Sequence, residues 1–151
     1  MKKIKYLTML FVAALLLTGC GGTKEKTTKC VLNLNDPGSF EVTTNYTIHH
    51  KNNIISKVIL DELVVSQDQE ILDYFEDYLN EMYPLYNTTY GGYTYDVKRS
   101  NDRITSKVTM DYTKMDLVKF SENTGIKVNK NNKVEVDDLV SAYKGVGAKC
   151  E

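Results

Sequence analysis

Residues 40–50 read FEVTTNYTIHH and residues 66–82 read SQDQEILDYFEDYLNEM, and the change of period between them decides the fold. In the first stretch Phe40, Val42, Thr44, Tyr46 and Ile48 alternate with Glu41, Thr43, Asn45, Thr47 and His49. That period of two belongs to a strand with one face on a core. In the second, Ile71, Leu72, Phe75, Leu79 and Met82 recur at helical spacing, with Asp73, Glu76, Asp77 and Glu81 opposite. Ser66 followed by Gln69 fits a capping box and predicts Ser66 as the N-cap. Pro84 has no backbone donor, so the helix is expected to kink or end there.

Working outward, Lys51-Asn52-Asn53 predicts a turn, because Asn tolerates the left-handed conformation. A β-branched return strand then runs over 53–65. Its alternation falters at Asp61-Glu62, where a bulge or strand end is expected. Upstream, a strand from Cys30 to Asn35 stops at Asp36-Pro37-Gly38. Downstream, Asn87 to Gly92 is turn-rich, and Tyr93 to Ser100 pairs with Arg103 to Thr113 around Asn101-Asp102. Two short helices are predicted, Met115 to Asn123 before Gly125, and Asp137 to Lys144 with acids in its first turn. Strands joined by hairpins are antiparallel. The expectation is an α+β two-layer sandwich: an antiparallel sheet of about five strands packed by one long and one or two short helices. The uncovered sheet face should be rich in Thr, Lys and Asn.

The N-terminus is not part of that layout. Lys2, Lys3 and Lys5 precede a nearly unbroken apolar run from Tyr6 to Leu17. Twelve residues suit a secretory signal, where a membrane span needs about 20. Leu17-Thr18-Gly19-Cys20 resembles the lipobox of bacterial lipoprotein precursors. The resemblance implies cleavage after Gly19 and a diacylglyceryl group on the Cys20 sulfur. Two acyl chains hold a protein to a bilayer where one would be marginal. The organisation expected is a signal peptide over 1–19, a lipidated Cys20 with a flexible polar tether over 20–29, and one globular domain over 30–151.

Cysteine usage fits export. With Cys20 assigned to lipid, Cys30 and Cys150 remain as an even pair at the two ends of the domain, and we expect them to be bonded. The alternative is two unrelated thiols. Removing residues 1–19 leaves 16 bases against 20 acids, which excludes a strongly basic nucleic-acid binder.

Little in the sequence announces chemistry. His49 and His50 are the only histidines, and neighbours on a strand point to opposite faces, so they cannot share a metal. No cysteine or histidine pair has zinc-ligand spacing, and nucleophile-elbow, phosphate-loop and dinucleotide fingerprints are all missing. Asp61/Glu62 and Asp137/Asp138 are sequence neighbours, which seldom converge on one substrate. No catalytic residue, metal or cofactor is therefore assigned. The unusual feature is tyrosine: Tyr83, Tyr86, Tyr90, Tyr93 and Tyr95 fall within thirteen residues. Tyr86, Tyr90 and Tyr93 either form a binding patch for a peptide or sugar, or simply fill the helix–strand junction.

The lipobox, the short tether, the Glu81-Met82-Tyr83-Pro84-Leu85 helix and the stretch from Val108 to Leu117 together resemble the YehR-like family of small bacterial lipoproteins. That resemblance implies a compact α+β domain with no assigned activity, and it contributes no catalytic residues. The function expected is a monomeric, non-enzymatic module held at the extracytoplasmic face of the membrane by its Cys20 lipid. Its partner would be an envelope protein or glycan. The alternatives are a structural accessory of an envelope complex and, behind it, a hydrolytic enzyme.

Overall fold

The computed structural model describes residues 24–151, so the signal peptide expected over 1–19 and the lipidation expected at Cys20 lie outside the described residues. The chain runs β1 (Lys26–Asp36), β2 (Phe40–Lys51), β3 (Ile54–Ser66), α1 (Gln69–Tyr90), β4 (Tyr93–Ser100) and β5 (Arg103–Asp111). It continues through α2 (Leu117–Thr124) and α3 (Val136–Gly145) to β6 (Lys149–Cys150). The strands form one antiparallel sheet in the order β4-β5-β3-β2-β1-β6. The helices cover one face of it, giving the α+β two-layer sandwich.

Alternation along the strands builds the inner face. Val42 pairs with Val64 and Ile48 with Val58 across β2 and β3; Val64 and Leu60 meet Ile104 and Val108 on β5. Ile48, Val58, Val64, Ile104 and Val108 are wholly buried. Helix α1 lies over β3, β4 and β5, with Leu72, Leu79, Tyr83 and Tyr90 turned inward. Helix α3 covers the other half, and its Tyr143 ring sits 4.2 Å from Tyr46 of β2. The outer face carries Thr43, Asn45, Thr105 and Lys107, as the alternation predicts, and no described element covers it.

Several expectations are corrected in detail. The sheet has six strands, the sixth being the two residues of β6 laid against Cys30 and Val31. Strand β1 begins at Lys26 and so takes in residues 26–29 of the segment read as tether. The N-cap of α1 is Asp68, whose carboxylate accepts from the Glu70 amide at 2.9 Å. Ser66 instead donates to the Ser39 carbonyl at 2.6 Å and accepts from the Asp68 amide, closing the strand–helix turn. Pro84 does not end the helix, which continues to Tyr90. Burial of Tyr83 and Tyr90 on the same arc outweighs the one hydrogen bond that proline removes. The register is unbroken at Asp61-Glu62; it shifts between His49 and His50, where Ser56 is the extra residue of β3.

The expected turn at Asn52-Asn53 is present, with φ of 53° and 66°. Cys30 and Cys150 are bonded, directly opposite one another on β1 and β6 with 4.0 Å between their Cα atoms. Paired backbone bonds between Lys29 and Glu151 flank the bridge at 2.8 and 3.1 Å.

Candidate functional site

The predicted tyrosine patch is mostly core. Because α1 runs through Pro84, Leu79, Tyr83, Tyr86 and Tyr90 follow one another at helical spacing along its inner arc. Tyr90 is 9% exposed, meets Phe120 of α2 edge-on at 5.5 Å and accepts from Asn123 Nδ2. Tyr93 is 8% exposed at the foot of β4. Tyr86 is half-buried, with its ring 6.1 Å from that of Tyr90 and 5.8 Å from that of Tyr93. The three meet, but they cannot present a shared wet surface. Among the described residues the exposed tyrosines are Tyr74, Tyr78 and Tyr95, on the outer side of α1 and on β4.

The two histidines diverge as expected. His49 lies on the outer face, 3.8 Å from Glu25, and His50 on the inner side beside Thr28 at 3.2 Å. Asp61 and Glu62 also part company. Asp61 pairs with Lys107 on the outer face at 3.2 Å, beside a shallow hollow of about 510 Å³ lined by Leu63, Lys98 and Arg103.

Glu62 is the residue the sequence did not single out. It stands on the inner row of the central strand β3, flanked by Thr44 on β2 and Ser106 on β5, both buried. The Tyr83 hydroxyl of α1 donates to Glu62 Oε2 at 3.1 Å, and Ser106 Oγ donates to the same oxygen at 3.4 Å. Burial pushes the Glu62 carboxyl up, because the anion loses solvation; the Tyr83 and Ser106 hydroxyls pull it back part of the way. Burial likewise raises the Tyr83 and Tyr46 phenols, and the Glu62 charge raises both further.

The gap between α1 and α3 leaves this part of the inner face incompletely covered. Tyr46, Leu60 and Tyr143 pack against the core there but are only half-buried, as is Glu62. Nearer the sheet edge, Arg99 shares the inner row and is fully engaged with Asp73, Glu76 and Gln69 of α1 at 2.6, 3.1 and 2.9 Å. The signal that could have found Glu62 was present. A charged residue broke the inner alternation of a strand whose neighbours, Leu60 and Val64, keep it.

Chemically, the cluster holds one carboxylate among hydroxyls. Such a group can accept hydrogen bonds or attract a cation. Among the described residues no three His, Cys, Asp or Glu side chains are grouped to hold a metal, and no helix is long and apolar enough to cross a membrane.

Two solved structures are similar to this one. The NMR structure of the E. coli YehR protein matches at 17% identity and a TM-score of 0.56, covering 85% of this chain and 92% of that one. The NMR structure of a Streptococcus pneumoniae TIGR4 protein matches at 17% identity and 0.52, covering 85% and 86%. At this identity both likenesses speak to the fold, and the resemblance to YehR read from the sequence holds at that level. No family model matches the chain, and no curated protein matches it.

Proposed function

We propose that this chain is a lipoprotein tethered through Cys20 to the extracytoplasmic face of a bacterial membrane, where its domain binds an envelope component and catalyses nothing. The observation that carries the reading is the Cys30–Cys150 bond. Such a bond persists outside the reducing cytoplasm, and here it belongs to a chain whose first twenty residues have the form of a lipoprotein leader. Residues 21–25, between Cys20 and the start of β1, span at most about 18 Å even when fully extended, which keeps the domain near the bilayer surface. The inner-face cluster supports binding over turnover, since it offers one carboxylate without a second acid or a histidine beside it.

The test is metabolic labelling with radioactive palmitate followed by membrane fractionation. Label should enter the wild-type chain, disappear in Cys20→Ala, and sediment with membranes. An unlabelled chain found in the cytosol with its leader intact would overturn the reading. A specific observation favours a second reading, an accessory that docks on a larger assembly: β4 leaves the outer edge of its eight residues unpaired beside an uncovered sheet face. Crosslinking from β4 to an envelope protein, with no small ligand bound, would select it.

A further inference from the structure

An ionised side chain on the inner face of a central strand is costly unless it is paired. The rest of that face shows how the fold meets the requirement. Arg99, the cation on the inner row of β4, is bound by two carboxylates and an amide from α1. Glu62 is not treated this way. Its Oε2 takes both hydroxyl donors, while Oε1 has no hydrogen-bond partner among the described residues and is not among the side-chain atoms sealed from solvent. No Lys, Arg or His among the described residues lies within ion-pairing distance of it.

The surroundings say what would complete it. Tyr83 approaches from α1, Tyr46 stands diagonally across the ladder from β2, and Tyr143 of α3 stacks on Tyr46. Leu60 forms the apolar floor, packed against the core and only partly buried. A carboxylate set among aromatic faces over an apolar floor suits an ammonium head on a short alkyl stem. The head pairs with the carboxylate and is drawn to the ring faces, while the stem covers the leucine. An anionic or purely apolar ligand would leave the Glu62 charge unanswered and lose its hydration.

We infer that the gap between α1 and α3 is a binding site for an alkylammonium group, whose charge is received by Glu62 Oε1 and whose stem lies against Leu60 between Tyr46 and Tyr83. This rests on reading the domain as a binding module and names the place and the chemistry that reading leaves open. The ammonium comes either from a free amine or from a lysine side chain on a protein partner.

The test uses the full chain in detergent micelles, followed by NMR of its tyrosine rings. Two probes separate the sources: n-butylamine, and the blocked tripeptide acetyl-Gly-Lys-Gly-amide. One or both should shift the Tyr46 and Tyr83 ring signals saturably, whereas n-butanol, with the same stem and no charge, should not. Glu62→Gln should weaken binding at least ten-fold, and Asp61→Asn, on the opposite face, should leave it unchanged. Should Glu62→Gln fail to fold, the wild-type Glu62 carboxyl carbon signal decides, since it must move with the bound amine and not with butanol. Absence of binding by both amines, or equal binding by Glu62→Gln, overturns the site. If lipid labelling and envelope crosslinking survive that outcome, the tethered module stands without this ligand. An unlipidated cytosolic chain that still binds the amine would give the reverse result.

Discussion

The Tyr83 hydroxyl of α1 donates to Glu62 of the central strand at 3.1 Å, joining the two layers of the domain through a polar contact in an apolar interface. The hydrogen bond is made to a charged acceptor, which places it among the stronger kinds. Tyr83→Phe removes the donor, keeps the ring and leaves Glu62 with Ser106 alone. We expect a loss of about 1.5–3 kcal/mol at neutral pH, read from urea unfolding. A loss below a few tenths of a kcal/mol would mean that water replaces the hydroxyl at no cost.

The same carboxylate sets a pH dependence. Burial raises the Glu62 pKa above its ordinary value of 4.5, so the folded chain holds this proton more tightly than the unfolded chain does. The stabilisation from that proton is complete below about 4.5 and is lost as pH rises through the folded-state value. At pH 7 the ionised side chain is therefore a net cost relative to a neutral isostere. Glu62→Gln is expected to unfold at a higher urea midpoint than wild type at pH 7, with the difference shrinking toward pH 4. A variant that is less stable at pH 7 would contradict the sign. A residue kept at the expense of stability is the pattern expected of a binding group.

How much of this was legible in the sequence can be argued from particular residues. The alternation of Phe40 to Ile48, the Asn52-Asn53 turn and the Asn101-Asp102 hairpin depend on local pattern and local backbone preference, and each stands where the sequence put it. Pro84 carries a strong local signal to stop the helix before Tyr86 and Tyr90, while the burial that overrides it comes from tertiary packing, against Tyr93 of β4 and against Phe120 of α2 farther along the chain. Strand β6 was invisible because two residues have no period; only the bond from Cys150 to Cys30 hints at it. Glu62 was set aside with Asp61 as a sequence pair. The strand pleat that separates them onto opposite faces is what isolates Glu62.

Pro84 offers a direct test of the helix. It sits in the interior of α1 and offers no amide to the Asn80 carbonyl four residues back. Pro84→Ala supplies that donor without touching the inward arc of Leu79, Tyr83 and Tyr90. The substitution should stabilise the domain by about 1–3 kcal/mol, less the chain entropy that proline had removed from the unfolded state. Thermal melting would register this as a rise. A fall would mean that the ring itself packs usefully where the helix passes it.

The Cys30–Cys150 bond closes a loop of 120 residues, so reducing it frees nearly the whole unfolded chain. The chain-entropy model puts that effect at about 4–5 kcal/mol. Cys30→Ser with Cys150→Ser should lower the urea midpoint accordingly while leaving the circular dichroism of the folded state unchanged, because β1 keeps its full ladder with β2. The loss should centre on β6, whose strand partner is β1, and hydrogen exchange at Glu151, whose amide donates to the Lys29 carbonyl at 2.8 Å, should accelerate most.

Two glycines separate conformational strain from steric clash. Gly38 and Gly92 both hold positive φ, at 84° and 74°. A Cβ on Gly38 would meet nothing within 4 Å, so Gly38→Ala carries only the left-handed cost of about 1–2 kcal/mol. On Gly92 the added carbon would lie 2.7 Å from the Asp111 carbonyl oxygen and 2.7 Å from Met115 Cγ. The methionine can move, but the carbonyl cannot, because the Gly92 carbonyl accepts from the Asp111 amide at 2.8 Å and fixes the approach of the two backbones. Gly92→Ala should therefore cost at least about 2 kcal/mol more than Gly38→Ala, the added cost coming from overpacking against backbone. Paired urea titrations decide it. Equal losses at the two sites would show that the end of β4 can part from β5 more easily than this hydrogen bond allows.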